Sequence, residues 1–224
     1  MSPPIHPPIV IKALNDVATG TMVLFHGVGD SGYGWESTCR RELRFRHLDC
    51  ILPHAPVIPY AYFGNQPTPA WFNRLNLSFN GPEDVESVEA GIARAHALFD
   101  KIIADGTPSE KLVVAGFSQG GALALTAGLT YPSKLAGIIG IGCFVMRKDT
   151  LASRITVNRE TPVQLIHGDE DEVVPIQYGT KTFDFLKQLG IDVKMHASPE
   201  AGHELPADAV GLFRRSVEEW VPQD

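Results

Sequence analysis

A single α/β domain, with a mostly parallel central sheet covered by helices on both faces, is predicted by three features of this 224-residue chain. Short apolar runs rich in β-branched residues recur along it without the alternation of a half-exposed strand, as strands buried on both faces do. Patterns with three- and four-residue apolar spacing lie between these runs, and strands alternating with helices imply parallel pairing. Finally, a glycine-flanked serine stands where one apolar run passes straight into a helical one.

The predicted strands, in order, are IVIKAL from Ile9, TMVLFHG from Thr21, LDCILPHAP from Leu48, KLVVAGFS from Lys111, GIIGIGCF from Gly137, VQLIHG from Val163 and DVKMHAS from Asp192. The clearest helix follows Pro82, read as a first-turn residue. There Val85, Val88, Ile92, Ala95, Phe99 and Ile102 repeat along one face until Gly106. Further helices are predicted over 120–131, 176–190 and 207–221, the last with Val210, Phe213, Val217 and Trp220 on one face. Residues 53–82, PHAPVIPYAYFGNQPTPAWFNRLNLSFNGP, fit neither pattern. The stretch is too long for an ordinary connection and too aromatic for disorder. Its composition fits a wall over a binding cleft and, equally, a packed surface excursion.

A net charge of -7 argues against a nucleic-acid partner. No local basic cluster offsets it, because Arg40 and Arg41 sit beside Glu36 and Glu42. The three cysteines, Cys39, Cys50 and Cys143, form no C-x-x-C pair, so neither a disulfide framework nor a zinc site is expected. The N-terminus lacks the charge and apolar length of a signal peptide, Ser2 excludes the myristoylation pattern, and VPQD carries no prenylation or retention signal. A cytoplasmic protein with at most peripheral membrane contact is the expectation, and the sequon Asn76-Leu77-Ser78 is then idle. Nothing in the sequence speaks to oligomeric state.

Gly116-Phe117-Ser118-Gln119-Gly120 is a G-x-S-x-G motif between a predicted strand and a predicted helix, the context of a nucleophile elbow. A serine in so sharp a turn needs neighbours without side chains, and the helix start beneath it aims unpaired backbone N–H groups at any oxyanion that forms there. A serine nucleophile needs a base, and the base an orienting acid. In α/β-hydrolases these follow in the order Ser, acid, His. VQLIHG ends in Asp169-Glu170-Asp171-Glu172, and DVKMHAS is followed by the loop carrying Gly202-His203, so both loops leave the sheet edge that carries the elbow. His203 is the candidate base, since His196 falls inside a strand pattern. Both Asp169 and Asp171 remain candidates for the acid. Asp171 is better placed to reach a neighbouring loop, whereas Asp169 is suited to tying the turn's backbone N–H groups. Glu170 and Glu172 read as solvated charges, and His26 and His167 as loop-fixing residues. No metal ligand set and no cofactor is implied.

The stretch VLFHGVGDSGYGW carries Gly27, Gly29 and Gly32 in the G-x-G-x-x-G spacing of a dinucleotide loop. That reading requires an acidic residue at the end of the next strand, where LDCILPHAP has His54, Ala55 and Pro56. It also requires a helix starting within the glycines, which Tyr33, Gly34 and Trp35 are expected to delay. A loop opening with His-Gly instead suits a second oxyanion donor, for which the Val28 N–H is the natural candidate alongside that of Gln119.

With FHGVGDSG, LPHAP, AWFN, GFSQGGALAL, HGDEDEVVP and AGHE in order, the chain after Val10 resembles the acyl-protein thioesterases and related cytosolic carboxylesterases or lysophospholipases. The resemblance implies Ser118 as nucleophile, Asp171 as acid and His203 as base, with Val28 and Gln119 forming the oxyanion hole. It also implies hydrolysis of long-chain acyl thioesters on protein cysteines, with activity on lysophospholipids and simple esters. The aromatic excursion, with Trp71 and Phe72 as substrate-binding residues, falls where the family builds part of an acyl channel. Three departures stand out: Asn73 where Asp is common, Cys143-Phe144-Val145-Met146 without the usual Leu-Pro, and Ser2 where some members have cysteine. Three other readings compete. A short-chain carboxylesterase without protein substrates shares every catalytic residue, a hydrolase-fold binding protein would show little turnover, and a nucleotide-binding oxidoreductase rests on the glycine spacing alone.

Overall fold

The computed structural model describes residues 6–223; Ser2 and Asp224, the last residue of VPQD, lie outside them. In chain order the strands are β1 (Ile9–Ile11), β2 (Gly20–Phe25), β3 (Leu48–Leu52), β4 (Val57–Tyr60), β5 (Gln66–Pro69), β6 (Leu112–Phe117), β7 (Gly137–Ile141), β8 (Val163–Gly168) and β9 (Val193–Ser198). The helices are α1 (Gly32–Arg41), α2 (Val85–Ala104), α3 (Gln119–Thr130), α4 (Lys148–Arg154), α5 (Ile176–Gln188) and α6 (Val210–Trp220).

All seven predicted strands enter one sheet among the described residues, in the order β1-β3-β2-β6-β7-β8-β9. Every pair is parallel except β1 against β3. This is the α/β-hydrolase architecture expected from the sequence. Central strands β2, β7 and β8 are buried at every residue, which explains their unbroken apolar runs. Edge strand β9 is buried only at Val193 and Ser198. Side chains of β2 divide by parity: Met22 and Leu24 join Trp35 and Cys39 of α1 and Phe213 and Val217 of α6 on one face. Val23 and Phe25 join Val88, Ile92 and Phe99 of α2 and Leu123 of α3 on the other.

Two helix boundaries correct the sequence reading. Helix α2 starts at Val85, capped by Asp84 whose Oδ1 accepts the Ser87 N–H at 3.1 Å, so Pro82 lies before the cap and outside the first turn. Val85 is accordingly exposed, while the other five predicted face residues are buried. Helix α1 begins at Gly32, inside the glycine motif, so Tyr33, Gly34 and Trp35 do not delay it. Glycine is required there because a Cβ on Gly32 would come within 2.6 Å of the Leu52 carbonyl oxygen of β3. The absent acid still separates this loop from a dinucleotide site. His54 stands after β3, its Nδ1 accepting the Gly32 N–H at 3.2 Å, and Asp49 at the far end is paired with Lys12 at 2.7 Å. Helix α4 and the antiparallel β4–β5 hairpin inside residues 53–82 were not legible as elements.

Candidate active site

Parallel strands bring the loops after β6, β8 and β9 to one edge of the sheet, and the chemistry-bearing side chains converge there. Ser118 follows β6 directly with φ 53° and ψ -120°, a backbone conformation that costs a non-glycine residue of order 1–3 kcal/mol. The turn is held by the Ser118 N–H donating to Ile141 O at 2.8 Å and the Ala122 N–H donating to Ser118 O at 3.0 Å. Its tightness explains both motif glycines. A Cβ on Gly116 would overlap the Gly120 carbonyl, and one on Gly120 would overlap the carbonyl oxygen of Phe25. Gly116→Ala should therefore destabilise the fold by about 1–3 kcal/mol or more, the ordinary cost of overpacking. Urea unfolding measures this, and an unchanged midpoint would show that the elbow relaxes freely.

His203 connects the two loops to the serine. Its Nε2 lies 2.9 Å from Ser118 Oγ, and its Nδ1 lies 2.7 Å from Asp171 Oδ2. With Nδ1–H donating to the carboxylate, Nε2 is left as the acceptor facing the hydroxyl. The imidazole packs against the Phe117 ring at 4.6 Å between centroids. Asp171 is buried, and its Oδ1 accepts the N–H groups of Val173 at 2.9 Å and Val174 at 2.7 Å. Burial alone would raise its pKa. Hydrogen bonds from His167, His203 and the Val174 N–H outweigh that and hold the carboxyl well below the usual range.

The other acids and histidines near these loops have separate partners. Asp169 Oδ1 accepts the Glu200 N–H at 2.8 Å, closing the turn between the loops after β8 and β9. His196 meets Asp208 at 3.0 Å on the exposed face of β9. His26 accepts the Ala55 N–H on Nε2 at 3.1 Å, so its Nδ1–H donates to Gly27 O at 2.7 Å; burial lowers its pKa. His167 Nε2 donates to Val174 O at 2.7 Å and lies 3.4 Å from Asp171 Oδ2, a contact to the acid that no sequence pattern signalled. Among the described residues no group of three or more His, Cys, Asp or Glu side chains is placed to hold a metal ion.

A cavity of about 640 Å³, within the usual range for small-molecule sites, opens beside Ser118. Val28 and Gln119 line it, and residues 53–82 supply a large part of its wall through Tyr60, Tyr62, Phe63 and Phe72. The excursion thus forms part of the wall of this cavity. Phe72 reaches the cavity, whereas Trp71 does not line it. The Trp71 indole N–H instead donates to His26 O at 2.8 Å and its ring meets Phe25 edge-on. The Gln119 side chain anchors this wall: Oε1 accepts the Trp71 N–H at 2.8 Å and Nε2 donates to Phe72 O at 2.9 Å. Cys143 also lines the cavity, and burial pushes the pKa of its thiol far up, which leaves it a poor nucleophile. Where the family commonly has Leu-Pro, Phe144 packs against Phe79 and Tyr178.

Asn73 has a local reason. Its Nδ2 donates to Asp84 Oδ2 at 2.9 Å and its Oδ1 accepts the Ala61 N–H at 2.8 Å, joining the cleft wall to the cap of α2. An aspartate at 73 would set two carboxylates against each other and raise the pKa of one. Asn73→Asp should then cost about 1–3 kcal/mol at neutral pH. Because the folded state would bind the extra proton, stability should recover as pH falls towards the ordinary carboxylate range. Denaturation at pH 7 and pH 5 tests this, and equal losses at both would refute it.

The chain is similar to known proteins over nearly its whole length. The sequence profile described as phospholipase/carboxylesterase matches residues 6–221. An acyl-protein thioesterase 1 of Gibberella zeae is 38% identical over 226 residues, covering 96% of each chain. One from Neurospora crassa is 34% identical, covering 97% of this chain and 93% of that one. Among solved structures, Zea mays acyl-protein thioesterase 2 superposes with a TM-score of 0.81 at 26% identity, covering 94% of this chain and 98% of that one. Arabidopsis thaliana SOBER1 does so with 0.85 at 26%, covering 90% and 99%.

Proposed function

The chain belongs to the phospholipase/carboxylesterase family, and on that premise we propose that it hydrolyses long-chain acyl thioesters on protein cysteines, with esterase and lysophospholipase activity. It is a serine hydrolase of acyl thioesters and esters; the S-acylated protein substrate is the finer part of the proposal. The observation that carries the reading is the continuous chain Ser118 Oγ, His203 and Asp171, linked at 2.9 and 2.7 Å beside an apolar cavity.

In this mechanism Ser118 Oγ attacks the acyl carbonyl while His203 Nε2 takes its proton. Asp171 holds Nδ1–H and stabilises the imidazolium. The Val28 and Gln119 N–H groups receive the oxyanion, each such donor being worth about 10²- to 10³-fold in rate. Collapse of the tetrahedral intermediate expels the thiol or alcohol, which leaves with the proton that His203 took from Ser118 and so returns the imidazole to its neutral form. Water, deprotonated by the same imidazole, then cleaves the acyl-enzyme and returns the proton to Ser118. Among the described residues no helix is long and apolar enough to cross a membrane. We infer an enzyme that works in the cytoplasm and touches membranes at most peripherally.

The test is kcat/KM measured across acyl lengths on paired thioesters and oxygen esters. The expected result is a rise toward long chains on thioesters. No gain beyond short chains would favour a carboxylesterase without protein substrates. Folded protein that a fluorophosphonate fails to label would favour a binding role.

A further inference from the structure

A cavity for a plain acyl chain needs only apolar walls, and Phe63, Phe72, Phe144 and Val174 provide them. Arg74 breaks that pattern by lining the same cavity with a guanidinium. Its Nε donates to Asn76 O at 2.9 Å, its Nη2 lies 3.4 Å from Ser78 O, and its Cζ sits 4.7 Å from the centroid of the Phe144 ring. Among the described residues no carboxylate comes within ion-pair distance, and Nη1 has no hydrogen-bond partner. Two other part-buried arginines, Arg147 and Arg154, meet Glu89 at 3.0 and 2.8 Å, whereas Arg94 donates to the Trp71 carbonyl oxygen at 2.7 Å. A half-buried guanidinium with a donor left over favours an anion beside it, and a ligand carboxylate is the partner that its geometry fits best.

Resting on the reading of Ser118 as nucleophile, we propose that this cavity takes acyl groups bearing a distal carboxylate and that Arg74 selects them. Two further observations support the assignment. Val28, Gln119 and Ser118 line the same cavity as Arg74, so an acyl group held there would reach both the nucleophile and the guanidinium. A second cavity, about 480 Å³, touches His203, the proton donor to the leaving group, and is lined by Asp30, Glu42 and Glu204. That acidic wall disfavours an anionic leaving group. The acids nearest Arg74 leave room for a ligand anion. Glu83 is engaged by the Arg147 N–H at 3.1 and 3.2 Å, and Glu172, the acid that shares the cavity lining with Arg74, is exposed to water. Burial lowers the Arg74 pKa while Tyr60 and Glu83 raise it, in keeping with a desolvated cation.

The experiment compares p-nitrophenyl esters of α,ω-dicarboxylic acids over a range of chain lengths with the same esters methyl-capped at the far end. Wild type, Arg74→Gln and Arg74→Lys are measured. Wild type should prefer the free carboxylate by about 10- to 100-fold in kcat/KM at the matching length, the worth of a hydrogen bond to a charged group. Arg74→Gln should abolish the preference and Arg74→Lys retain part of it. No preference in wild type, or one that survives Arg74→Gln, would overturn the proposal; the wild-type ratio stands whether or not a variant folds. A parallel arm compares lysophosphatidic acid with monoacylglycerol, and an Arg74-dependent preference confined to that pair would put the anion on the leaving group and overturn the acyl assignment. Turnover of the methyl-capped esters without discrimination refutes only the role of Arg74. Absence of both turnover and fluorophosphonate labelling refutes the hydrolase reading with it.

Discussion

Ser118→Ala should lower turnover of the best acyl substrate by on the order of 10⁶-fold, the loss seen when a triad nucleophile is removed. The expectation rests on geometry that no other side chain duplicates among the described residues. The neighbouring Cys143 thiol is buried with its pKa pushed far up, so it does not supply a substitute nucleophile. The imidazole remains tied to Asp171 at 2.7 Å in the variant, and the Val28 and Gln119 N–H groups remain beside the cavity. A residual rate of about 10³- to 10⁴-fold over water should survive from binding and oxyanion stabilisation. Burst kinetics on a chromogenic ester check the point directly: the wild type should release a stoichiometric burst of leaving group and the variant none. Near-full turnover by the variant would remove Ser118 from the mechanism.

The sheet was legible in sequence because burial on both faces leaves an unambiguous trace. Runs such as VVAGF and GIIGI have no polar face, as strands buried between two helical layers require, and the helical patterns between them point to parallel pairing. Helix α1 escaped because it has little apolar patterning to display: only Gly32, Trp35 and Cys39 of its ten residues are buried, and two of its first three residues are glycines. The elbow was legible because a strained turn can be made by few residues, so Gly116 and Gly120 mark it. What was not legible depends on contacts between residues far apart in the chain. The Gln119 side chain is local to the motif, yet its partners Trp71 and Phe72 lie 48 and 47 positions away. Arg74 reads as an ordinary loop charge until the fold turns it over Phe144, seventy residues on.

The acid of the site was the one assignment that spacing left open, and the two aspartates now have different expected effects. Asp171→Asn should lower turnover by about 10⁴-fold, because an amide facing Nδ1 can stabilise the wrong imidazole tautomer and offers no charge to the imidazolium. Asp169→Asn should lower it by less than about tenfold, since a side-chain amide oxygen can still accept the Glu200 N–H that Asp169 Oδ1 receives at 2.8 Å. Stability separates a chemical effect from a structural one. Asp171 Oδ1 also accepts the Val173 and Val174 N–H groups, and an amide oxygen can keep those bonds while its NH₂ faces His203. Folding of Asp171→Asn should therefore fall by no more than about 1–3 kcal/mol, the range for weakening buried hydrogen bonds, so the protein remains available for assay. The two kcat values, measured on protein shown to be folded by thermal unfolding, decide the matter. A larger loss at Asp169 than at Asp171 would transfer the role of acid to Asp169, despite the 2.7 Å contact between Asp171 and His203.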